Sequence, residues 1–86
     1  MKIAVYDTYV TRNDGEIMHF DILVPDGTTH EKALDFGRRY LAEKKQSGQA
    51  LSAKECTFCH LEEAPADIEQ SVQAKGYDIV EMEGCA

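Results

Sequence analysis

Glu55-Cys56-Thr57-Phe58-Cys59-His60-Leu61 is the stretch on which the fold turns. Read as a strand, it is the third of four, and alternation puts Cys56, Phe58 and His60 on one face and Thr57, Cys59 and Leu61 on the other. The two thiols then point apart, too badly oriented for an unstrained bridge or a shared metal. Each serves as a small apolar filler, a common role for free cysteine. This is the reading the surrounding sequence favours.

Read as a loop, the same residues become a metal-binding turn in which Cys56, Cys59, Cys85 and His60, or His19 in place of His60, hold a divalent ion such as zinc. A lone Cys-x-x-Cys is a weak signal, because structural zinc usually draws on two such pairs or on one pair with two spaced histidines. A third reading is thiol chemistry, with Cys56 or Cys59 a nucleophile activated by His60 or a helix N-terminus. Against it, the next helix signal comes only at Pro65, and Glu55, Glu62 and Glu63 disfavour a thiolate. Cys-x-x-Cys-His is also the c-type haem attachment pattern. That attachment takes place outside the cytoplasm, and no export signal opens this sequence, so haem is set aside.

Outward from this stretch the pattern is regular. Residues 2 to 10 (KIAVYDTYV) and 17 to 24 (IMHFDILV) are β-branched and aromatic, and Asp14-Gly15 between them signals a two-residue hairpin turn. That turn sets Tyr9 opposite Phe20 and Val5 opposite Val24. Ile3, Val5, Tyr9, Met18, Phe20, Ile22 and Val24 then share a core face, with Tyr6, Thr8, Val10, His19 and Asp21 on the other. Asp7 is the misfit, turned toward the core, where a carboxylate needs partners. His19 and Asp21 are a candidate acid/base pair, and with Asp7 a candidate polar pocket.

Thr28-x-x-Glu31 is a capping box opening a helix to about Lys45, with Ala33, Phe36, Gly37, Tyr40 and Leu41 as its apolar stripe. Ser47-Gly48 stops it. Pro65 starts a second helix, Gly76 ends it in the left-handed conformation, and residues 77 to 83 read as the last strand. The order β-β-α-β-α-β gives a two-layer α+β domain spanning residues 1–86. Right-handed crossovers predict a mixed four-stranded sheet in the order 2-1-3-4, with the last three strands of the chain parallel and both helices on one face; the order 1-2-3-4 is the fallback.

Composition narrows the function. A formal charge of −7 opposes the basic surface that neutralises phosphates, so nucleic acid is not an expected partner. No run approaches the roughly 20 apolar residues of a membrane span, and no signal peptide is legible. A cytoplasmic protein is expected, in which three cysteines do not make a disulfide framework. The second strand, read as a sheet edge, offers a route to a homo-oligomer.

The landmarks Val5-Tyr6-Asp7-Thr8-Tyr9-Val10, Met18-His19-Phe20-Asp21, Glu55-Cys56 with Phe58-Cys59-His60, Ala64-Pro65, Gly76-Tyr77 and Met82-Glu83-Gly84-Cys85 run the length of the chain. In these the chain resembles a family of short bacterial proteins built on a domain of unknown function. The resemblance implies a whole-chain domain and carries over no activity, substrate or cofactor. A non-catalytic binding or interaction module is the expectation, with metal at the Cys/His set as its chemistry. A small thiol enzyme or redox protein using Cys56 and Cys59 is the competing class.

Overall fold

A computed structural model describes residues 1–85. Its elements are β1 (Lys2–Thr11), β2 (Ile17–Pro25), α1 (His30–Glu43), β3 (Cys56–Glu63), α2 (Ala66–Lys75) and β4 (Asp78–Glu83). The α+β class and the element order agree with the sequence reading. The sheet does not: its order is β3-β1-β2-β4, and every neighbouring pair is antiparallel. The β1–β2 hairpin occupies the centre, and the two later strands add to its two outer edges. β3 lies beside β1 and antiparallel to it, as the order 2-1-3-4 has it; the departure is β4, which pairs antiparallel with the free edge of β2 instead of parallel with β3, so no parallel pair forms.

The hairpin turn sets everything on β1. Gly15 N–H donates to Arg12 O at 3.0 Å, and Arg12 N–H donates to Glu16 O at 2.7 Å, leaving Asn13, Asp14 and Gly15 as a three-residue loop. Gly15 takes φ 92°, the left-handed conformation that closes such a loop. One extra loop residue moves the register by one, so Tyr9 lies opposite His19 and Val5 opposite Leu23. Because strand periodicity is two, β1 is turned over relative to expectation. Ala4, Tyr6, Thr8 and Val10 face the core with Met18, Phe20, Ile22 and Val24, while Asp7 leaves it.

α1 covers that core face with Ala33, Phe36, Gly37, Tyr40 and Leu41. Its N-cap is Thr29, whose hydroxyl accepts from Lys32 N–H at 3.1 Å, one residue later than the capping box predicts. Met18, Phe20, Ile22 and Val24 are fully buried, and each contributes roughly 1.5–3 kcal/mol by leaving water. α2 lies on the opposite face, where Ala64 and Ile68 pack on Ile3, Val5 and Leu23. The two helices thus flank the sheet instead of sharing one side, because the register change has moved Ile3 and Val5 to a second apolar patch that needs its own cover. That cover ends at the Val5–Leu23 rung.

Candidate functional site

The next rungs of the hairpin carry the site. Asp7 and Asp21 are directly opposite, and Tyr9 and His19 form an adjacent stretch of the same ladder. All four side chains stand on the face away from α1, beyond the part α2 covers. One ligand atom from each of Asp7, His19 and Asp21 lies within 4.8 Å of the others, a convergence found once among the described residues. His19 Nε2 donates to Asp7 Oδ1 at 2.6 Å. The Tyr9 ring stacks on the imidazole, with centroids 4.2 Å apart and planes within 9°, which fixes its orientation.

Two carboxylates on one rung repel. Burial first, and the Asp7 charge second, push the Asp21 carboxyl above its ordinary range, with His19 and His60 acting in the other direction. A divalent cation would relieve this repulsion more fully than the imidazole does. Two carboxylate oxygens and one imidazole nitrogen make a donor set suited to zinc, manganese or iron. Tyr9, Ile17 and Val80 leave an exposed apolar rim on the sheet. A cleft of about 310 Å³ lined by Arg38, Leu41, Ser47, Gly48 and Gln49 belongs to α1 and the loop after it, on the other side of the sheet.

The Cys/His stretch is a strand. Cys56 begins it fully buried in the α1-side core, beside Thr8. A register shift between Val5 and Tyr6 leaves Cys59 as a bulge, so the expected alternation breaks there. Phe58 and Leu61 share the α1 side, and His60 stands on the α2 side, opposite Val5. Cys85 is buried past β4, its thiol 3.5 Å from His19 O and 3.2 Å from Glu83 O. Antiparallel strand directions bring Cys56 and Cys85 to the same end of the sheet, both in the α1-side core, but on its two outer strands with β1 and β2 between them. Cys59 and His60 meet, Sγ to Nδ1, at 3.1 Å, and His60 Nε2 reaches Glu62 Oε1 at 2.7 Å, both exposed. The four residues do not converge as Asp7, His19 and Asp21 do.

Sequence reading named Asp7, His19 and Asp21 but put Asp7 on the wrong face, and it missed Tyr9 as the residue that orients His19. Asn13-Asp14-Gly15 carried the needed signal, since glycine at the third position of a three-residue loop places Tyr9, Asp7, His19 and Asp21 together.

The fold is of the α+β class, a four-stranded antiparallel sheet with two helices. The chain belongs to the domain of unknown function DUF2024, whose model matches residues 1–82. The description of that family assigns no activity. The solution structure of protein NE1680 from Nitrosomonas europaea is 41% identical over 100% of both chains, with a TM-score of 0.88. No curated protein matches the sequence. Among the described residues no helix is long and apolar enough to cross a membrane.

Proposed function

We propose that the protein is a non-catalytic binding module whose open sheet face holds a divalent cation at Asp7, His19 and Asp21. The observation that carries this is the convergence of three ligand atoms within 4.8 Å on the part of the sheet face beyond the cover of α2. Hairpin strands hold all three, so the site is rigid and needs no closing segment. Deprotonation of Asp21 and release of His19 from Asp7 would accompany binding, so affinity should rise with pH.

Calorimetric titration of chelator-treated protein with zinc and with manganese is the test. One ion per chain, lost in Asp21→Asn and in His19→Ala, supports the site. Binding that survives both variants but vanishes in Cys59→Ser with His60→Ala would move the metal to the Cys/His stretch. No binding of either ion would overturn the reading. The exposed Cys59–His60–Glu62 chain favours a second reading, a single-thiol centre, which iodoacetamide kinetics against pH would separate by an unusually reactive Cys59.

A further inference from the structure

β3 forms one edge of the sheet, and of its eight residues only Cys56 is buried. Soluble proteins usually keep such edges short, charged or covered. Here Phe58 is 54% exposed and Leu61 45%. The bulge at Cys59 puts both on the α1 side, Phe58 opposite Tyr6 and Leu61 opposite Ala4.

The backbone of this edge can be phased from its two ends. Tyr9 N–H donates to Glu55 O at 2.8 Å, and Ala64 N–H donates to Met1 O at 2.9 Å. In an antiparallel ladder alternate residues turn their polar groups inward and outward. Counting from Glu55, Thr57 faces β1 while Cys56 and Phe58 face out. Counting back from Ala64, Glu62 and His60 face β1 while Leu61 and Glu63 face out. The outward groups of Cys56 are used within the chain: its N–H donates to Ser52 O at 3.1 Å, and its carbonyl accepts from His30 Nε2 at 2.7 Å. Pairing with another strand therefore has Phe58 and Leu61 as its anchors.

We infer that β3 is the docking edge for a second copy of this chain, antiparallel, with Phe58 of each copy opposite Leu61 of the other. A two-fold axis perpendicular to the sheet keeps both α1 sides together. In this register two outward-facing residues meet on both sides of the axis, giving two hydrogen-bonded apolar pairs. Thr57 falls opposite Glu62 and Cys56 opposite Glu63, so no acid faces an acid. A slip of one residue sets Phe58 against Glu62 or against His60. The self-complementarity of apolar anchors and backbone phase thus selects this chain as its own partner. Two copies of Cys59 flank the axis, with Cα atoms about 6 Å apart, inside the disulfide range.

Sedimentation equilibrium of the reduced, chelator-treated protein over a concentration series is the test. A monomer–dimer equilibrium is expected, and added salt should strengthen it because each copy carries −7. Phe58→Lys and Leu61→Lys should each abolish the dimer while leaving the far-ultraviolet circular dichroism unchanged, since both side chains are exposed. Diamide should link the wild-type dimer through Cys59, and the link should vanish in Cys59→Ser and fall at least tenfold in Phe58→Lys. A monomer at every concentration and salt, or a dimer indifferent to both lysine variants, would overturn the inference. A dimer that these variants dissolve but that diamide does not link would overturn the register.

Discussion

Asp7 and Asp21 face each other across one rung of the β1–β2 ladder, and burial together with the Asp7 charge holds the Asp21 carboxyl above its usual range. Between the unfolded and folded values for Asp21, the folded chain holds more protons than the unfolded one. Its contribution therefore destabilises the fold as pH rises through that window. Metal-free Asp21→Asn should be more stable than wild type at pH 7, and the two should converge below about pH 4, where the unfolded carboxyl also protonates. Urea midpoints across pH check this; a variant less stable at neutral pH would show that the pair is held by something other than repulsion.

Gly84 sits at φ 67°, and a Cβ there would collide with the backbone oxygen of Ile17. Nothing flexible can yield to it. Gly84→Ala should cost about 2 kcal/mol, from the left-handed backbone and the displaced β2 terminus together. Thermal unfolding measures the loss, and Cys85, released from beneath His19, should become reactive to thiol reagents in the same variant.

Tyr40 O–H donates to Glu81 Oε2 at 2.5 Å, and Lys44 Nζ lies 2.7 Å from the same oxygen. Lys44 first and Tyr40 second hold the Glu81 carboxyl below its ordinary range. Stability from this group is complete above the usual carboxylate value and is lost as pH falls through the lower, folded one. Tyr40→Phe should cost about 1 kcal/mol at pH 7, and the gap from wild type should narrow in acid. A gap that is constant with pH would mean that the hydroxyl works through packing alone.

The three cysteines should separate cleanly in a native thiol titration. Cys59 is exposed, whereas Cys56 and Cys85 are buried, and burial pushes the Cys56 thiol up. One fast equivalent per chain, lost in Cys59→Ser, is the expected result. Two fast equivalents would restore Cys56 and Cys59 as a redox pair.

Much of the fold was legible because local chemistry and burial agree. The stripe from Ala33 to Leu41 reads as a helix and packs as one, and Gly76 takes the left-handed φ of 91° that its position at the end of α2 demands. The place of β3 beside β1 was legible but that of β4 was not, since the chain after α2 can return to β3 or cross to the free edge of β2, and long-range packing decides between them. The candidate site was legible as residues but not as geometry. Asp7 looked like a buried misfit because Asp-Gly is equally compatible with loops of two and three residues, and only the longer one turns Asp7 toward His19. Cys59 defeated the alternation argument for the same kind of reason: a bulge adds one residue without leaving a mark in hydropathy.

The central place of the β1–β2 hairpin bears on the order of assembly. Asp7, His19 and Asp21 lie within fifteen positions of one another along the chain. Hairpins close in roughly microseconds, well before distant segments meet. The three side chains therefore need only this local hairpin to meet, and not the docking of β3, α2 and β4. A cation held there would act as a folding nucleus: it should speed refolding and leave the unfolding rate nearly unchanged.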